Sequence, residues 1–416
     1  MIGRSSGTIV RTVGALLEAV LPSVRLGEGA AIQTRTGVRI AARVASIDGT
    51  RVLLAPFGSI DGIAGGDRVT CEPGVLSLVL GTPLLGRACD AAGAALDGGR
   101  TADGTRVRVE GAAALPAARS DVRDVFWTGV RAIDATLTLA RGARIGLFGA
   151  PGCGKSTLLE TIAANSRADA TVVALIGERG REAERWLARI DARTTVVCAT
   201  SDRSAAERVR AADVAFAQAA TLAGRGLHVV LIVDSLARIA AAQRDIAIAL
   251  GEPVGRGGYP PSVFAALARL LERAGAFGSG SITLIATVLS DGTDEREPVS
   301  DAARAALDGH IALSPTLAGR GRYPAIDVTG SISRTMNAVV SPEHLAHART
   351  LRRAICALDE SREARALGLD VSASQPDLAR ALAAEAQIER FLTQASEPSP
   401  PERTLRELAS LADILN

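Results

Sequence analysis

The chain has 416 residues, enough for about two or three domains. Its content of 47% hydrophobic and 22% charged residues belongs to a folded protein rather than a disordered one. A net charge of +2 and an aromatic content of 3% argue against a nucleic-acid surface and a polybasic membrane anchor.

The first stretch, about residues 7–72, reads as short strands. The runs GTIVRTVG, AAIQTRT, VRIAARVASID and TRVLLAPFG are β-rich and separated by Gly and Asp turns, the spacing of a small β-barrel. From about Leu76 the texture changes. ARIGLFG, TVVALIG, TTVVCAT, HVVLIVD and SITLIATVL are apolar on both faces and alternate with helical stretches, as the strands of a covered parallel sheet do. At Ser341 and Pro342 an N-cap followed by a first-turn proline opens a helical tail, interrupted at LGLDVSASQPD and again at SEPSPPE. The expected domains are 1–75, 76–340 and 341–416. Cys71, Cys89, Cys153, Cys198 and Cys356 are scattered without a C-x-x-C pair, which suits a reducing compartment and gives no metal site. No apolar run reaches the ~18 residues that would span a bilayer. The opening MIGRSSGTIV has no signal-peptide core.

One lysine, Lys155, stands among 47 basic residues; all the others are arginine. It lies in GAPGCGKST, made of Gly149, Ala150, Pro151, Gly152, Cys153, Gly154, Lys155, Ser156 and Thr157. The run fits G-x-x-x-x-G-K-S between a strand, RIGLFG, and a helix, KSTLLETIAANS. Glycines let backbone N–H groups wrap a phosphate, and the helix N-terminus adds positive potential. A compact ammonium reaches between phosphates where a planar guanidinium would not fit. That accounts for the one lysine that arginine has not replaced. A glycine turn with an incidental lysine explains neither the context nor that singularity.

Two carboxylates follow at strand ends. HVVLIVD ends in Asp234, placed to hold the hydration shell of Mg²⁺ beside Ser156. On its own such an aspartate is as often a helix cap. Strand TVVALIG is followed by Glu178, which is placed to polarise a water for attack on the γ-phosphate. Without the loop, a solvated glutamate after a strand would explain it equally well.

With these in place the chain resembles the rotary-type ATPases, and most of all the type III secretion ATPases of injectisomes and flagellar export. GTPLLGRACDAAGAALDGG, TGVRAIDATLTLARGARIGLFGAPGCGKST, GERGRE, DSLAR, GGYPPSVFAALARLLERAG, GSITLIATVL, LDGHIALS, GRYPAIDV and SISR occur in the family's order and cover nearly the whole chain. The resemblance implies an α/β fold: a RecA-like P-loop core with a parallel sheet, a small N-terminal β-barrel and a C-terminal helical domain. It implies ATP and Mg²⁺ as ligands and a homohexamer with ATP between subunits. Glu178 matches the catalytic glutamate and Arg179 follows it. Arg238 matches the phosphate-side arginine, Tyr323 the aromatic on adenine, and Arg334 the arginine finger given to a neighbour's nucleotide. The implied partners are a coiled-coil central stalk protein, a stator or regulator protein, chaperone–effector complexes and the export apparatus at the inner membrane, with no nucleic acid. The implied location is cytoplasmic, peripheral at the cytoplasmic face of the inner membrane.

Two departures stand out. Asp370 falls near the place where the family's helical domain carries an adenine-pocket aromatic, so adenine packing is expected to rest more on Tyr323. The chain also starts almost at its first strand, without the family's longer N-terminal extension, which leaves self-assembly open. Other functions compete. A catalytic subunit of a proton-translocating rotary ATPase would carry a longer helical tail, and a non-catalytic one would lack Glu178. A transcription-terminator-type RNA helicase would need an RNA-binding module, which charge and aromatic content disfavour.

Overall fold

The computed structural model describes residues 5–111, 119–278, 280–289, 297–367 and 375–416. Six strands close the N-terminal barrel, in the order Ser6–Val13, Leu16–Val20, Arg51–Pro56, Arg39–Asp48, Gly29–Gln33 and Arg68–Cys71, the last pairing back onto the first. Leu17, Ile32, Val44, Leu54 and Val69 fill its interior. Two of these strands, Leu16–Val20 and Arg68–Cys71, lie outside the four β-rich runs legible in the sequence. The first follows a tight turn at Gly14.

The core is a sheet whose main path runs Ile326–Ser333, Gly309–Leu313, Arg144–Gly149, Gly280–Leu289, His228–Asp234, Ala170–Ile176, Thr194–Ala199 and Arg87–Cys89. Neighbours along this path are parallel, except that Ile326–Ser333 runs antiparallel at the edge. The central strands are apolar on both faces because both faces are covered. Val173, Leu175, Val230 and Ile232 join one core with Leu158, Leu159 and Ile162 of helix Lys155–Asn165. Val172, Ala174, Val229 and Leu231 join the other with helices Ala205–Ala223, Leu236–Ala249 and Pro261–Leu271.

Helices Pro342–Ala366, Pro376–Ala383, Glu385–Leu392 and Pro401–Leu415 make the C-terminal part. The Ser341 hydroxyl accepts from His344 N–H at 3.2 Å, and Pro342 takes the first helical turn, where its missing N–H costs nothing. The tail packs on the first core layer through Leu351, Ile388, Phe391 and Leu408. Among the described residues no helix is long and apolar enough to cross a membrane.

Candidate active site

Parallel strands bring their C-terminal ends to one edge, where α/β sheets bind ligands. Gly149 aligns with Leu289, Leu175 with Asp234, and Ile176 with Ala199. The loop after Gly149, Glu178 and Asp234 therefore rise from the same edge.

The loop turns through Gly152 and Gly154, at φ +84° and +88°, a region side chains rarely enter. Gly154 is also the N-cap of helix Lys155–Asn165. Lys155 Nζ donates to the carbonyl oxygens of Gly149 and Ala150 at 2.7 and 2.8 Å, which holds the ammonium over the loop. Ala150 and Ser156 are half-buried, Cys153 is buried, and Pro151 and Thr157 are exposed.

Glu178 is buried, with 5% of its surface exposed. Arg238 Nε lies 2.8 Å from one of its carboxylate oxygens, and Arg238 Nη2 donates to the other at 3.1 Å. Arg238 also donates to the Gly177 carbonyl. Burial pushes the Glu178 carboxyl up to about 7; the nearby Asp234 charge pushes it the same way, and Arg238 opposes both. Asp234 is also buried, and Thr287 Oγ1 donates to it at 2.6 Å. Its pKa is raised too, mainly by burial. Two carboxyls that resist ionisation side by side form a site a divalent cation would relieve, and the residues present fit one. Asp234 and Ser156 would hold Mg²⁺, which binds through one or two protein oxygens plus phosphate and water and would set positive charge against the phosphate oxygens.

Beyond the loop lies a mostly apolar pocket whose walls include Val130, Gly154, Leu158, Leu313, Tyr323 and Ala325. The Tyr323 ring stands over Gly154, where an added Cβ would lie 3.6 Å from it. Tyr323 is 46% exposed, so it is a wall of the pocket rather than a core residue. Gln394, Ala395 and Ser396 close the far side. The sequence reading missed this segment. A glutamine just past a helix end carries no local signal, and its contacts span up to 265 positions. Asp370, where the helical domain's contribution was expected, lies outside the described residues.

Two other expected residues are exposed rather than buried with this group. Arg179 is exposed and caps helix Gly180–Leu187. Arg334 is exposed beyond the end of strand Ile326–Ser333. That strand begins with Ile326 opposite Leu313, beside the loop, and ends with Ser333 opposite Gly309. Gly309 in turn pairs with Ile145, near the start of the loop's own strand. The strand is bulged between these ends, and its partner covers only Gly309–Leu313, so at roughly 3.3 Å per residue the chain is carried about 13 Å from the loop. Arg334 thus lies at the opposite end of the sheet from Lys155. In the loop at residues 257–263 the Tyr259 ring is half-buried, 6.0 Å from the Phe264 ring and beneath Arg244. Val254, shortly before this loop, is an exposed apolar side chain.

Comparison with known proteins agrees with this arrangement. Residues 129–333 match the ATP synthase alpha/beta family, nucleotide-binding domain, and residues 340–410 match the T3SS EscN ATPase C-terminal domain. The flagellum-specific ATP synthase of Salmonella typhimurium is 41% identical, over 94% of this chain and 90% of its own. The type 3 secretion system ATPase of Sinorhizobium fredii is 42% identical, over 94% of this chain and 88% of its own. Among solved structures, the assembled ATPase EscN of the enteropathogenic E. coli type III secretion system superposes with a TM-score of 0.91 at 36% identity, covering 98% of this chain and 100% of that one. EscN in complex with its central stalk EscO superposes at 0.89. With relatives 41% and 42% identical along 94% of its length and EscN superposing over 98% of it, the chain belongs to the ATP-hydrolysing type III secretion and flagellar export ATPase family.

Proposed function

We propose that the chain works as a homohexameric ring that hydrolyses ATP at the boundaries between subunits, releasing chaperones from export substrates and handing those substrates to the export apparatus. The observation that carries this reading is the placement of Arg334. It is exposed at the end of its sheet remote from its own phosphate loop, so its guanidinium serves a nucleotide held by a neighbour. Lys155 binds the β and γ phosphates, Glu178 accepts a proton from the attacking water, and Arg238 keeps the Glu178 carboxylate turned toward that water. Tyr323 supports the base. The ring works at the cytoplasmic face of the inner membrane, with a stator protein and chaperone–effector complexes as partners.

A site shared between subunits makes activity depend on assembly. Turnover per subunit should rise steeply as the purified protein is concentrated, in step with the appearance of rings by sizing in the presence of an ATP analogue. Constant specific activity across a dilution series that takes the protein from ring to monomer would sink the shared-site reading.

The ring's axis takes a coiled-coil stalk, as EscN takes EscO. The loop at residues 257–263 faces that axis on this reading. Because Tyr259 is turned inward, the contact falls to Val254, which is 59% exposed. A photocrosslinker at position 254 should capture the stalk protein; capture only of neighbouring ring subunits would place this loop elsewhere.

A further inference from the structure

The far wall of the base pocket is held by an unusual number of bonds between segments distant in sequence. Gln394 uses every hydrogen-bonding group of its side chain. Its Nε2 donates to the Gly129 carbonyl at 2.8 Å and to the Glu397 carbonyl at 2.7 Å. Its Oε1 accepts from Arg131 N–H at 2.7 Å. Its backbone N–H donates to the Tyr323 carbonyl at 2.9 Å. One residue of the helical tail thus ties together the two walls of the pocket, Val130 between Gly129 and Arg131 on one side and Tyr323 on the other.

Arg131 returns the contact. Its guanidinium donates to the carbonyls of Arg390, Phe391 and Thr393 and lies 5.3 Å over the Phe391 ring. These carbonyls belong to the end of helix Glu385–Leu392, where acceptors have no partner within the helix. Arg131 is only 12% exposed at its side chain. The turn that supplies Gly129 is itself fixed. Asp134, fully buried, accepts from Gly129 N–H and Thr128 N–H, both at 2.9 Å. Gly129 sits at φ +77°, and an added Cβ would lie 2.8 Å from Asn165, so no other residue fits the turn.

We infer that Gln394 is a positioning residue for the nucleotide base: with Arg131 it forms a clasp that sets the width of the base pocket and couples it to the helical tail. This rests on reading that pocket as the base site. The Gln394 amide groups are all taken by the backbone, so Gln394 does not read the base. It holds Val130 and Tyr323 at a fixed separation, and a shift of helix Glu385–Leu392 moves the pocket wall with it. The phosphate loop makes none of these bonds. Loss of the clasp therefore weakens recognition of the nucleoside and leaves recognition of phosphate alone unchanged.

Gln394→Met tests this, because it keeps the side chain's length and volume while removing its hydrogen bonds. Calorimetric titration with Mg·ADP and, separately, with Mg·pyrophosphate resolves the two ends of the site. The expected result is ADP binding weakened about tenfold or more with pyrophosphate binding unchanged. In steady-state assays KM for ATP should rise by a similar factor, with kcat within about threefold. Gln394→Glu keeps the acceptor for Arg131 N–H but sets a carboxylate oxygen against the Gly129 and Glu397 carbonyls, so it should weaken ADP at least as much, whereas a loss of packing alone would spare this near-isosteric variant. Equal weakening of ADP and pyrophosphate, or ADP binding within twofold of wild type, would overturn the inference. If Gln394→Met is poorly folded, the same pair of titrations on Gln394→Glu decides it by the same criteria. Wild-type protein that binds pyrophosphate but not ADP would count against the pocket's assignment to the base instead.

Discussion

Glu178→Gln should bind Mg·ATP at near wild-type strength and hydrolyse it about 10²–10⁴-fold more slowly, the usual span for loss of a general base. The amide has the carboxylate's shape and keeps an oxygen for Arg238, so the pocket stays intact, but it accepts no proton from water. Burial beside Asp234 pushes the Glu178 carboxyl up to about 7, close to working pH, where a base is both available and strong enough to act. The same shift has a signature in stability. The folded protein favours the neutral acid, so this contribution is fully present below the ordinary carboxylate range and is lost as pH rises to about 7. The neutral amide loses nothing over that window. Without nucleotide, the melting temperature of Glu178→Gln relative to wild type should increase from pH 5 to pH 8. Turnover within tenfold of wild type, or a flat melting difference, would remove Glu178 from its assigned role.

Arg334→Ala should leave ATP binding largely intact and lower turnover by about 10³–10⁵-fold, the range found when an arginine supplied in trans is lost. A guanidinium stays charged at any working pH and bridges two oxygens of the transferring phosphoryl group. Its place beyond Ser333, paired to Gly309 at the far end of the strand, puts it at the other end of the sheet from its own loop. The decisive measurement is mixing. Arg334→Ala subunits retain a sound phosphate loop, and Lys155→Ala subunits retain a sound Arg334. Hybrid rings contain boundaries with both parts intact, so activity should reappear although each variant alone is inactive. Hybrid rings that form and remain inactive would mean that Arg334 acts within its own subunit or only supports the fold.

The two arginines differ in how they could be read. Arg238 lies four positions after Asp234, yet its measurable bonds run to Glu178 and Gly177, about sixty positions earlier. Nothing local announces that pair; it exists because strands His228–Asp234 and Ala170–Ile176 are neighbours in register. Arg334 was legible only as part of a family pattern. Its direction away from the loop follows from the antiparallel course of the last strand, and a sequence does not mark whether an edge strand runs with its sheet or against it.

By itself the sequence determined what depends on neighbours along the chain. Glycines at Gly152 and Gly154 permit the positive φ angles the loop adopts. Doubly apolar runs gave buried parallel strands, because only a strand covered on both faces tolerates them. Ser341 and Pro342 began a helix because they satisfy and spare its unpaired N–H groups. Tertiary structure alone decided what depends on which segments meet. It set the burial that raises Glu178, the wall that Gln394 lends to the base pocket, and the inward turn of Tyr259. These contacts close over long separations, and their partners are fixed by sheet order and register, which arise from the packing of the whole core rather than from any local run of residues.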